Sequence, residues 1–382
     1  MKNIWKQKKI KVKELPSGDT LNINVISVSG HPGPHIYLQA GIHGAEVQGN
    51  ALIIQLIDFL KSYKATINGT ITMVPLANPN GTNNKNNTYT NGRFNANTGD
   101  NWNRNFIDLV TLKRASFEKF CHKNKQTENK VLFTHFKKWL KQTLIKIEKE
   151  LKDKNQIHEN NEINLILQKL AIEADGVLDL HTGPIATYYL YTPEYAKEVS
   201  KYLKFENTLV IPHYFAGAFD EVTFHPYTEL KKYFFSEFGR DLTLPFESFT
   251  LELGSEEAFD LESGKRDVAR ILPYLKYKGV FPSNMRIKPS PIKNQTIPLE
   301  NFKTIYSKQS GLFHFDIKPG ETFKKGDVIG RYFNAQKIKI KNNKIDHLGI
   351  EELKADYSGK VINIFPSAVV PQGCELLQVF KY

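Results

Sequence analysis

Short apolar runs that end in glycine or proline alternate with stretches of helical period through the first two thirds of this chain, and that alternation leaves few folds open. "HIYLQA" (35–40) reads as a buried strand, "EVQGNALIIQLIDFLKSY" (46–63) as the helix after it, and "GTITMVPLANPNG" (69–81) as the next strand, closed by Pro/Asn/Gly turn chemistry. Strand, helix and strand in this rhythm make a βαβ unit, whose helix covers one face of a sheet. The runs "GVLDLHTG" (176–183), "TYYLYT" (187–192), "TLVIP" (208–212) and "FTLELG" (249–254) supply further strands. The expected class is therefore α/β, a mixed central sheet flanked by helices.

Two segments break the rhythm. Between 113 and 175, Leu132, Phe136, Leu140, Leu144, Ile147 and Leu151 recur at helical spacing, with Lys and Glu on the opposite face. This predicts a helical insertion at about 110–170, packed on the edge of the domain; a helix that docks a partner is the alternative. After about residue 290, "SGLFHFDIKPGETFKKGDVIGRYF" and "ADYSGKVINIFPSAVVPQGCELLQV" are short strands punctuated by Pro-Gly, Lys-Gly-Asp and Ser-Gly turns. The chain of 382 residues thus divides into 1–288 and a smaller all-β C-terminal domain at 289–382. The Asn-rich stretch "NPNGTNNKNNTYTNGRFNANTGDNWN" (78–103) reads as a loop outside the core.

Composition excludes several classes. The net charge of +12 is that of a Lys-rich, solvated surface and does not call for a nucleic-acid partner. Cys121 and Cys374 are too few for a disulfide framework or a Cys-rich zinc site. The basic N-terminus lacks an apolar h-region, and no apolar run is long enough to span a bilayer, so the expected location is the cytoplasm, with no membrane partner.

Most of the eleven histidines fall in turns, in the polar insertion or in the β-rich tail; His31 and His35, for instance, flank the turn "GHPGPH". His43 and His181 differ, because each ends an apolar strand and precedes a turn, in "GIHGAE" and "DLHTG". Ligands of open α/β sheets bind at the carboxyl ends of strands, where loops converge. If these strands are neighbours, Glu46 brings an oxygen to the same point three residues after His43, and two His with one Glu leave a fourth position for water, the ligand set of a hydrolytic zinc site. Glu252 is an acidic residue inside an apolar strand, suited to act as base, and Asp179 is two residues before His181, on the same strand face, where it can orient the imidazole. Arg93, in "TNGRFN", and Asn103 with Arg104, in "NWNRNF", offer groups for a carboxylate or an oxyanion. His225 and Asp220, in "GAFDEVTFHP", are candidates for substrate contact.

Taken in order, "GIHGAE", "NPNG…GR…NWNRNF", "DLHTG" and "ELG" resemble the succinylglutamate desuccinylase and aspartoacylase family of the zinc carboxypeptidase superfamily, over roughly residues 25–285. The tail looks like that family's C-terminal lobe; it also looks like a biotinyl or lipoyl barrel but has no modified-lysine hairpin. The resemblance implies one Zn2+ per subunit held by His43, Glu46 and His181, with Glu252 as general base and acid. It implies that Arg93 polarises the scissile carbonyl and that Asn103 with Arg104 grips the substrate's carboxylate. The expected activity is removal of an acyl group from a small anionic N-acyl amino acid; alternatives are a zinc carboxypeptidase acting on a peptide, and a binding module using the basic helix. A homo-oligomer stays open.

Overall fold

The computed structural model describes residues 2–154, 159–214, 216–288 and 291–382. Nine strands form the main sheet, in the spatial order Ile4–Glu14, Thr20–Ser29, Asn68–Val74, His31–Ala40, Gly176–Gly183, Glu247–Ser255, Tyr188–Pro193, Asn207–Ile211 and Gln295–Pro298. The central four, from Asn68–Val74 to Glu247–Ser255, are parallel, and antiparallel pairings flank them. The α/β class expected from the sequence is thus the fold of this chain.

Alternation along the strands divides the interior in two, because successive side chains leave a sheet on opposite faces. Ile36, Leu38, Leu178, Leu180, Phe249 and Leu251 pack under the helices Gln48–Ser62 and Leu261–Tyr277. Tyr37, Val177 and Tyr189 point the other way, towards the helices Asn129–Asp153, Glu159–Ala171 and Phe219–Phe238.

The insertion extends the interior outwards. Leu132, Phe136, Leu140, Leu144 and Ile147 are buried on one face of the helix Asn129–Asp153, as their spacing requires, and continue the core that holds Tyr37 and Val177, with the helix Glu159–Ala171 packed beside them. His158, in the same insertion, lies outside the described residues.

Three local expectations need correction. The strand drawn through 69–81 ends at Val74, and Pro79–Asn83 turns into a short helix capped by Asn78, whose Oδ1 accepts the N–H of Gly81. The Asn-rich stretch is not excluded from the core, since Trp102, Asn95 and Asn103 are buried; amide side chains satisfy the loop's own backbone and so let it fold inward. His31 and His35 stand in a strand and not in a turn, and the ring Nε2 of His35 lies 2.8 Å from Thr72 Oγ1.

Beyond the main sheet the chain is β-rich, with a five-stranded and a four-stranded sheet around a third core of Phe313, Ile329, Val361 and Leu376. Ile185–Ala186, just after Gly183, pairs with the strand Gly359–Ile364, which brings this region over the carboxyl ends of the central strands. The expected division at 288/289 abuts residues 289–290, outside the described residues, and Gln295–Pro298 still belongs to the main sheet. Among the described residues, no helix is long and apolar enough to cross a membrane.

Candidate metal centre

The strands His31–Ala40 and Gly176–Gly183 are parallel neighbours, with Ala40 beside Leu180, so the turns that follow them emerge side by side. Gly41, at φ 70°, reverses the first turn, a conformation that favours glycine. Gly44 lets the turn close against another loop: its N–H donates to Gly92 O (2.8 Å), and a Cβ there would stand 2.1 Å from Gly81 O. These constraints hold His43 and Glu46 against His181, and the two imidazole rings are 5.3 Å apart between centroids.

Hydrogen bonds fix how the rings are used. Asn101 Oδ1 accepts the backbone N–H of Asn103 (2.8 Å), which marks that atom as the oxygen, so the Nε2–H of His43 donates to it at 2.9 Å. Asp179 Oδ2 accepts the Nε2–H of His181, also at 2.9 Å. Asp179 is held in turn by Gln39 Nε2 (2.9 Å), and Gln39 Oε1 accepts the Tyr37 hydroxyl (2.9 Å). Each ring therefore turns Nδ1 inward, 2.7 Å (His43) and 2.8 Å (His181) from the two oxygens of Glu46. Two imidazole lone pairs facing a carboxylate need positive charge among them, supplied by protons or by a metal ion.

The donor set fits an ion. Ligand atoms of His43, Glu46 and His181 all lie within 4.8 Å of one another and all three residues are buried, so the group could hold a metal. Without an ion, burial opposes charge on Glu46, but the adjacent imidazoles outweigh it and hold the carboxyl well below the usual range. Burial also opposes charge on His181, and Asp179 and Glu46 overcome it and raise the imidazole well above its ordinary value.

Glu252 lies beside His181 in the register of the next parallel strand. It is buried, its Oε2 has no hydrogen-bond partner among the described residues, and burial pushes its carboxyl up to about 8. Arg93 enters from the solvent side and donates from a terminal guanidinium nitrogen to Glu46 Oε1 at 3.2 Å. Asn103 Oδ1 accepts the N–H of Phe219 (2.9 Å), and Arg104 donates to Asn103 O (2.6 Å).

His43, Glu46, His181, Glu252, Arg93, Asn103 and Arg104 all line one cavity of about 450 Å³. Asp220 lines it too, pushed up to about 7 by burial first and then by Glu221 and Asp179, whereas His225 faces Asp108 at 3.3 Å. The far wall comes from the β-rich region, through Asn363–Pro366 and Glu375–Gln378. Sequence reading missed Asn101, Gln39 and this wall. Nothing in an Asn-rich loop distinguishes the one amide that holds a ring, and contacts between distant segments leave no local pattern.

An α/β sheet carrying a buried His–Glu–His cluster at the carboxyl ends of its central strands defines a protein with a candidate metal site in the crevice where such sheets bind ligands. The succinylglutamate desuccinylase/aspartoacylase catalytic domain matches residues 32–277, and the chain belongs to that family, one of deacylase hydrolases. A family protein of known structure from Shewanella frigidimarina is 33% identical, with a TM-score of 0.89 over 99% of this chain and 97% of that one. Another, from Shewanella amazonensis, is 34% identical with the same TM-score over 98% of each chain. A succinylglutamate desuccinylase/aspartoacylase from Rhodobacter sphaeroides, 14% identical, shares the fold with a TM-score of 0.65, over 100% of this chain and 96% of that one. No curated protein matches the chain significantly.

Proposed function

We propose that this chain is a zinc-dependent amide hydrolase that removes the acyl group from an N-acyl amino acid. The observation that carries the reading is the inward Nδ1 of two imidazoles against Glu46, their outer nitrogens already engaged, beside the buried Oε2 of Glu252, which has no partner among the described residues. A donor set of two nitrogens and one carboxylate, with a side open to the cavity, suits zinc in a hydrolytic site. When bound, such an ion polarises a carbonyl and lowers the pKa of a water.

The chain's own groups do the rest. Glu252 takes the proton of the attacking water and passes it to the leaving amine; an acceptor oxygen, Oε2, that no described residue engages suits a group that must accept and then release a proton. The Arg93 guanidinium faces the cavity beside Glu46 and stabilises charge developing on the carbonyl oxygen. Arg104, positioned by Asn103, takes the substrate's carboxylate.

The wall formed by Asn363–Pro366 and Glu375–Gln378 favours a small substrate over the peptide of a carboxypeptidase, because it narrows the space a chain would cross. We take the boundary between this β-rich unit and the catalytic unit to follow Pro298, where the main sheet ends. Two unpaired cysteines fit a reducing compartment, and the cytoplasm is part of the proposal. The test is elemental analysis of the purified protein, followed by assay of N-acetyl and N-succinyl amino acids beside short peptides. Absence of bound metal, or turnover of peptides alone, defeats the reading.

A further inference from the structure

The cavity holds more acidic side chains than the proposed reaction uses. Besides Glu46 and Glu252, Asp220, Glu221, Glu256 and Glu375 line it, against the two guanidiniums of Arg93 and Arg104. Arg93 is engaged with Glu46, and the reading above gives Arg104 to the substrate's carboxylate. Among the described residues, none of the other four carboxylates makes an ion pair. A buried carboxylate without a cation is costly, and a second carboxylate on the ligand would add repulsion.

Glu221 shows what is missing. It is only 1% exposed and sits in the first turn of the helix Phe219–Phe238. Its Oε2 accepts the N–H groups of Ala216 (2.8 Å) and Ala218 (3.0 Å), so the helix terminus accounts for that oxygen. Its Oε1 has no partner among the described residues. Asp220, next to it, is also buried, and on the β-rich wall of the same cavity Asn363 Oδ1 likewise has no partner among the described residues, beside the solvent-exposed Glu375. Unpaired acceptors on both walls call for donors on the ligand.

We infer that the substrate is an N-acyl derivative of a basic amino acid, its carboxylate at Arg104 and its side-chain ammonium or guanidinium seated at Glu221. The inference rests on the amide-hydrolase reading and gives the amino acid of the substrate a cationic side chain, in place of the anionic substrate that the sequence suggested. Glu221 is then a specificity determinant: an acidic amino acid meets like charge, and an aliphatic one leaves Oε1 buried and unpaired.

Binding and turnover separate the two claims. Titration calorimetry on zinc-loaded Glu252→Gln protein compares Nα-acetyl-lysine, its uncharged counterpart Nα-acetyl-norleucine, and N-acetyl-glutamate. The expected order is lysine tightest by about tenfold or more over norleucine, with glutamate weakest. Glu221→Gln, which keeps an oxygen for the two N–H groups and puts an amide donor in place of Oε1, narrows the lysine–norleucine gap to about threefold or less. Glu375→Gln narrows it in part and covers the case in which the Glu221 variant fails to fold. Equal affinities, tighter glutamate, no binding of any probe, or a gap untouched by both variants would overturn the inference. Turnover of the same probes is measured on the unmodified protein: charge preference without turnover sinks the hydrolase reading alone, and turnover without preference sinks this inference alone.

Discussion

Glu252 and His181 are direct partners in the register of two parallel strands, so the proposed base and a candidate metal ligand are set by backbone hydrogen bonding rather than by loops. Sites built on strands hold their geometry more tightly than sites on loops. Both side chains are buried within the sheet's carboxyl edge, and their separation cannot drift without breaking the ladder.

Replacing Glu252 by Gln should leave metal content unchanged and lower turnover by about 10²–10⁴-fold, because the shape is kept and the proton acceptor is lost. Elemental analysis and a deacylation assay on the same preparation check both halves. An active variant removes Glu252 from the role.

Asp179→Asn should weaken metal binding by about 10–100-fold, since the carboxylate fixes the tautomer of His181, while His43→Ala should abolish it. Binding should also release protons. His181 is held well above its ordinary pKa by Asp179 and Glu46 against the cost of burial, and the ion displaces that proton. Apparent affinity therefore rises with pH. Calorimetry in buffers of different ionisation enthalpy measures the proton count, and a value of zero contradicts the arrangement.

The metal-free protein should lose stability as pH rises through the window set by Glu252. Burial raises this carboxyl from 4.5 to about 8, so between those values the folded state binds more protons than the unfolded one, and stability falls as pH rises. Glu252→Gln removes that slope. Urea unfolding of both proteins at pH 5 and pH 8 should show the variant gaining at pH 8, on the order of a few kcal/mol. An equal difference at both pH values refutes the assignment.

Phe136→Ala should cost about 3–5 kcal/mol, because Phe136 is fully buried in the core that joins the insertion to the main sheet. A packing role at the rim alone would give far less. Equilibrium denaturation decides.

Native protein should resist thiol reagents at Cys121, which is buried in the insertion and pushed up to about 12 by that burial. Cys374 is partly exposed and reacts first. Labelling before and after unfolding, read by mass spectrometry, distinguishes the two.

Local chemistry determined much of this protein. The β and α periods fixed the α/β class, because a strand with two apolar faces or a helix with one must bury them in a layered sheet. The positions of His43, Glu46, His181 and Glu252 at strand ends, or inside an apolar strand, were legible for the same reason: polar groups there are costly without partners. Tertiary structure decided what no local pattern encodes. The register that sets Glu252 beside His181, the amide of Asn101 that turns the His43 ring, and the reach of Asn363 and Glu375 over the cavity all depend on segments far apart in sequence. Side-chain periodicity reports which face of an element is buried. It carries no information about which distant element covers that face, and here the covering element closes the far side of the cavity with Asn363–Pro366 and Glu375–Gln378.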